Sequence, residues 1–223
     1  MIGLRSVRRS WLRSLAAFAA AASIAAVARS APSGPVAVIE KLDAAYLEVL
    51  ERAERLGFEG RVEKLRPALA AAFDFQAMAR LSVGGRWKDL SPEQQSRLEG
   101  AIARLSVATT ASRFTGHSGE RFEILGEEPS TQGTVLVRTR VVVPGKEPVQ
   151  LDYRLRAGPE GWRVIDIFLN GTVSELALRR SEYGTILDRD GFDALVASID
   201  AKAAEMAIRP TAAAGRTQGR ESR

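Results

Sequence analysis

Apolar positions recur every three or four residues at both ends of the chain and every two residues in its middle. Ile39, Leu42, Tyr46, Val49, Leu50 and Ala53 trace one face of a helix, with Gly57 where a C-terminal cap belongs. Val62, Leu65, Leu69 and Phe73 continue the period, and Pro67 among them predicts a break or a new first turn. Asp74 is placed to cap a short helix over 75–81, which Gly84-Gly85 ends. Ser91-Pro92-Glu93-Gln94 is a capping box with proline at the first helical position. The helix it opens carries Leu98, Ile102, Leu105 and Ala108 on one face and runs to about Phe114.

The period then drops to two. Phe122 and Ile124 alternate with polar neighbours, as do Val135, Val137, Thr139, Val141 and Val143, then Val149, Leu151, Tyr153 and Leu155. Gln132-Gly133, Pro144-Gly145 and Gly158-Pro159-Glu160-Gly161 punctuate the runs, and a fourth strand from Trp162 to Leu169 ends at Asn170-Gly171. Gln150, Asp152, Arg154 and Arg156 fall on the opposite face of the third strand and are expected to meet water. Helical spacing returns over 174–188 and 191–207, the last stretch with Phe192, Leu195, Val196 and Ile199 on one side. Four consecutive strands with short connections predict an antiparallel sheet, and the whole an α+β fold with helices packed on one face of that sheet.

The two ends read differently. Residues 1–28 have the form of a secretory signal peptide: a charged start closing at Arg13, a 13-residue apolar run from Leu15 to Val27, and Ala26-Val27-Ala28 as the cleavage pattern. That run falls short of the roughly 20 residues a permanent spanning helix needs, with an uncleaved anchor as the alternative. Residues 29–35 read as a linker, 36–208 as the folded domain and 209–223 as a disordered basic tail. This division changes the meaning of the charge. Of the net +5, residues 1–28 supply +4 and the tail +3, which leaves −2 on 29–208. A nucleic-acid binder carries its basic excess on the folded domain, so nucleic acid is not an expected partner. The chain has no cysteine and one histidine, which removes disulfides, thiolate metal sites, cysteine nucleophiles and any site needing two imidazoles.

An ordered series of short segments goes further. Trp162-Arg163-Val164-Ile165-Asp166-Ile167 is followed by Gly171, by Arg180-Ser181-Glu182-Tyr183 and by Asp190-Gly191-Phe192-Asp193-Ala194-Leu195-Val196. Upstream stand Phe73-Asp74-Phe75, Gly85 and Trp87, and Leu90-Ser91-Pro92 with Gln94. Their order and spacing resemble the MlaC-type proteins, periplasmic lipid carriers that serve ABC-type lipid transporters and are also called toluene-tolerance auxiliary proteins. The stretch Val164–Thr172 with Glu175–Arg180 is most similar to the branch associated with hopanoid biosynthesis. The resemblance covers about 36–206. It implies an NTF2-like fold with an apolar cavity between sheet and helices, which holds the acyl tails of a phospholipid or hopanoid-type lipid and leaves the headgroup outside. It further implies a periplasmic location and docking to an inner-membrane ABC transporter complex, with an outer-membrane lipoprotein complex as a second partner. No cofactor is expected, and a monomer is.

On that reading the lipid contacts are Phe75, Met78, Trp87, Ile102, Leu105, Val137, Thr139, Tyr153, Ile167 and Tyr183. The competing reading is that the same side chains fill a solid core. Thr139 and Tyr153 are the polar members of inward strand faces, and the long helix adds Ser106, Thr109 and Thr110. The mouth, and with it the docking surface, is expected near Trp87, Asn170 and Tyr183. His117, in Gly116-His117-Ser118-Gly119, reads as a solvated loop histidine. Asp166 interrupts the apolar strand Val164-Ile165-Asp166-Ile167 and needs a cation or backbone donors there, for which Arg180 is the expected ion-pair partner. No catalytic constellation and no metal site emerges. The alternative function is an exported NTF2-like enzyme acting on a small apolar substrate, with Asp166 as general base.

Overall fold

The computed structural model describes residues 34–208. The signal peptide read at 1–28, most of the linker read at 29–35 and the tail read at 209–223 lie outside the described residues. The first helix, α1 (Pro35–Glu51), begins on the last residue of the expected linker, because proline at the first helical position loses no hydrogen bond there. It is followed by α2 (Ala53–Ala72), α3 (Phe75–Val83), a short 3-10 helix (Gly84–Asp89) and α4 (Pro92–Arg113). Four long strands come next: β1 (Arg121–Pro129), β2 (Val135–Val142), β3 (Val149–Gly158) and β4 (Gly161–Leu169). A two-residue strand, β5 (Val173–Ser174), leads into α5 (Glu175–Asp190) and α6 (Phe192–Ile208).

The local signals act where the sequence puts them. Asp74 accepts the Ala77 amide at 2.8 Å and caps α3, and both halves of the capping box on Ser91 and Gln94 are formed. Pro67 does not break its helix. The backbone departs from helical geometry at Gly57 instead, where φ is 59° and no Cβ resists it. Leu65 and Leu69, on either side of the proline, are buried in the core, and that packing holds the helix through the missing amide.

The five strands form an antiparallel meander in the order β1-β2-β3-β4-β5. Bulges between Ile124 and Gly126 on β1, and opposite the Arg154–Leu155 step on β4, bend the sheet. The edge of β4 is covered by α2–α3, where Phe73 bridges Val164 and the Asp74 amide donates to the Val164 carbonyl at 2.9 Å. Phe73 and Phe75 stack at 5.6 Å beside this junction. The core lies between the helices and the sheet face bearing Val137, Tyr153, Leu155 and Val164. Within the helical layer, Arg61 is buried and donates to the carbonyls of Ala111 at 2.9 Å and Ala53 at 3.0 Å, so one guanidinium joins the end of α4 to the start of α2. Burial lowers its pKa, and the two carbonyls stand in for the lost water.

One strand differs from its sequence pattern. Asp152, expected in water, is 2% exposed. Between the Val137–Tyr153 and Arg140–Gln150 pairs, the Thr139 amide donates to Asp152 Oδ1 at 3.1 Å and the Thr139 hydroxyl donates to the Leu151 carbonyl. Gln150 donates to Asp152 Oδ2 at 2.8 Å. Side chains thus replace backbone bonds in the ladder, and period-two alternation cannot reveal that. Arg154 is also drawn down, its guanidinium 4.7 Å from the Phe168 ring centre. Replacing Thr139 by valine keeps the volume and leaves the half-buried Leu151 carbonyl without the hydroxyl donor. Chemical denaturation should show a loss of about 1–3 kcal/mol for T139V, with no change in the dependence on denaturant.

Candidate functional site

Seven of the ten residues expected to meet lipid come together from five elements. Phe75 and Met78 (α3), Ile102 and Leu105 (α4), Val137 (β2), Tyr153 (β3) and Tyr183 (α5) belong to one contiguous buried cluster. Trp87 and Ile167 are half-buried and pack against it, and Thr139 is buried at its sheet side. Burial corrects one expectation. Tyr183 is 1% exposed, so it faces the core and is no part of an outer docking surface. Burial raises the pKa of its phenol, opposed by the nearby Arg179. The outer rim beside it is built from the 3-10 helix and α5, joined by Arg86 to Asp188 at 2.5 Å. That pairing holds the Asp188 carboxyl below the usual carboxylate range. Asn170 stands exposed at the β4–β5 turn, and the nearby Val173 and Leu178 expose large apolar side chains to solvent, Leu178 by 57%.

Asp166 is not paired with Arg180. It is 3% exposed and accepts three hydrogen bonds: the Ile167 amide at 2.8 Å and the Leu176 amide at 3.1 Å on Oδ1, and the Ser174 hydroxyl at 2.7 Å on Oδ2. Ser174 is itself the N-cap of α5, accepting the Ala177 amide at 2.9 Å. A carboxylate at a helix N-terminus is favoured by the helix dipole as well as by the free amides, so α5 supplies the charge compensation that a cation would otherwise provide. Arg180, one turn further on, is exposed and lies against Gly84, where an added Cβ would come within 3.0 Å of its guanidinium. His117 sits in the α4–β1 loop, about a third exposed, 3.9 Å from Glu120.

The group that sequence reading passed over is Asp43. It is 8% exposed, on the buried face of α1, and its Oδ1 has no hydrogen-bond partner. Burial, and then the charge of Glu40 one turn earlier, push its pKa from 3.8 up to about 7. Its charge in turn acts on Tyr46 and Tyr153, two core phenols whose pKa values rise chiefly through burial. Tyr46 also pairs with the Thr110 hydroxyl and packs edge-on against Phe114 at 5.0 Å. The signal for Asp43 is its spacing, four residues after Ile39 and three before Tyr46, which sets it on the apolar stripe.

These contacts fix two outcomes. Asp166→Asn turns an acceptor of three bonds into a group with one acceptor oxygen, and thermal and chemical unfolding should show a loss of about 2–4 kcal/mol. Arg180→Gln should stay within about 0.5 kcal/mol of the parent. For Asp43 the sign is reversed. The folded chain holds its proton more tightly than the unfolded chain, so the stability it contributes is full below pH 4 and is lost as pH rises towards 7. Asp43→Asn should therefore match the parent near pH 4 and exceed it by about 2–4 kcal/mol above pH 7, read from denaturation curves across that range.

A family model shows the family of this chain, and a solved structure shares its fold. A phospholipid-binding protein from Ralstonia solanacearum, whose structure was solved in complex with a phospholipid, superposes with a TM-score of 0.69 at 22% sequence identity. The alignment covers 78% of the present chain and 99% of that one. The profile of the MlaC protein family matches residues 40–201, from α1 into α6 and so through every element that builds the buried cluster. The chain belongs to the MlaC family.

Proposed function

We propose that this protein is a soluble periplasmic lipid carrier that holds acyl tails between the inner sheet face and the helices and exchanges them with an ABC transporter complex of the inner membrane. The observation that carries this reading is the shared fold with a protein solved around a phospholipid, together with the family match. The side chains gathered in the core supply the apolar lining a tail requires, with few polar groups among them. The ligand is a phospholipid or a hopanoid-type lipid, the second following from the branch that Val164–Thr172 resembles. The enzyme alternative with Asp166 as general base loses support because both oxygens of Asp166 are already engaged.

Magnitudes favour a docked handover. Burying acyl chain is worth about 0.8 kcal/mol per CH₂, so two tails of about 16 carbons gain roughly 25 kcal/mol relative to water. The bilayer offers nearly the same gain. A carrier therefore has little net drive to extract lipid, while the barrier to moving bare tails through water stays prohibitive. The net charge of −2 on 29–208 gives no attraction to anionic membrane, so loading and unloading fall to membrane-bound partners that shield the tails. The exposed apolar side chains of Val173 and Leu178, flanking the start of α5, are the surface we assign to that contact.

Mass spectrometry of organic extracts from natively purified protein should find lipid in near-stoichiometric amount, and its absence would remove the carrier reading. In liposome assays, transfer should need reconstituted transporter. Leu178→Glu should slow that transfer at least about fivefold, yet leave lipid content unchanged. Equal transfer between bare liposomes would show that no partner is required.

A further inference from the structure

Each buried carboxylate so far described has donors, except one. Asp166 takes three and Asp152 two, whereas Asp43 Oδ1 lies inside the fold with none. Whichever oxygen carries the proton, a carboxyl group keeps at least one unfilled acceptor, and a carboxylate keeps more. Two buried phenols share the core with it: Tyr46, one turn further along α1, and Tyr153 on β3, and the Asp43 charge acts on both. The three come from α1 and β3, the two layers between which the lipid tail would run. Their neighbours Ile39 and Leu42 are buried and apolar. A buried acceptor without a donor is a cost to the folded chain, and a group that enters with a donor relieves it.

We propose that Asp43, with Tyr46 and Tyr153, is a hydrogen-bonding anchor inside the apolar interior, and that it selects lipids bearing an alcohol hydroxyl on their hydrophobic portion over lipids with plain tails. The inference rests on the carrier reading and adds a ligand class to it. An alcohol suits the site better than an ammonium group does: it loses less hydration on entry and needs no full countercharge. Its proton fills the open acceptor on Asp43, while a phenol can donate to its oxygen. A ligand whose hydroxyl falls at another depth would gain nothing, so the site reads the position of the hydroxyl along the chain as well as its presence.

The test uses the full chain, stripped of lipid, and displacement of a fluorescent fatty acid. The competitors are octadecanoic acids carrying one hydroxyl at successive chain positions, the unsubstituted acid, and phosphatidylglycerol as a general lipid probe. The parent protein should bind at least one hydroxylated acid about tenfold or more tighter than the plain acid. Asp43→Leu should lose that preference while keeping its affinity for the plain acid, with a melting temperature no lower than the parent's to show that it folds. Asp43→Asn, whose amide oxygen still accepts, should keep part of the preference. Equal binding of all the acids by the parent, or an undiminished preference in D43L, would overturn the proposal. If phosphatidylglycerol binds and no hydroxylated acid is preferred, the anchor alone fails. If neither phosphatidylglycerol nor any acid binds, the carrier reading fails and takes the anchor with it.

Discussion

A carboxylate moved out of water must be given donors in return, and much of this structure is arranged around that requirement. Asp166 meets it by fastening the N-terminus of α5 to β4, which is what brings Tyr183 over the core. Asp152 meets it by entering the ladder between β2 and β3, where Thr139 and Gln150 close around it. Asp74 does so at the edge of the sheet, holding the Ala77 amide and Arg156 while the chain crosses β4. Polar contacts thus set where the apolar layers meet, and the apolar layers keep those contacts dry enough to matter. Asp43, left open, departs from this pattern, and for that reason it reads as a site where the others read as joints.

By contrast the charged pairs on the helical surface set little. Arg97 with Asp193 and Arg104 with Asp200 tie α4 to α6 across exposed ground, where such pairs typically contribute under about 1 kcal/mol. The α4–α6 contact rests instead on Leu98, Ala101, Ile102 and Leu105 against Phe192, Leu195 and Ile199, all in the buried cluster.

The elements were legible in the sequence wherever a local interaction decides them. The capping box on Ser91, the Asp74 cap and the alternation of β2 and β3 depend on neighbours within a few residues, and each appears where the pattern placed it. The partners that were not legible are separated along the chain or bound through backbone. Nothing in the residues around Asp166 shows that amides of α5 would reach it before Arg180 does. Nothing local to Asp152 shows that the Thr139 amide would turn towards it. Pro67 misled because its cost is local whereas the burial of Leu65 and Leu69 that overrides it is not. Ten residues expected to meet lipid converge because helical and strand periodicity report the inward face well, but periodicity reports facing and not whether the space is filled.

The bridge between Phe73 and Val164 has a kinetic consequence for synthesis of the chain. The helices through Arg113 are made first, and the strand that closes over them, β4, ends at Leu169. At about 5–20 residues per second, roughly three to eleven seconds pass between the end of α4 and the end of β4, and about twice as long from the end of α1. The meander then pairs each strand with the one just made, so the sheet assembles as fast as it emerges. For those seconds the nascent chain shows the greasy interior that the finished fold hides, a state suited to chaperone capture.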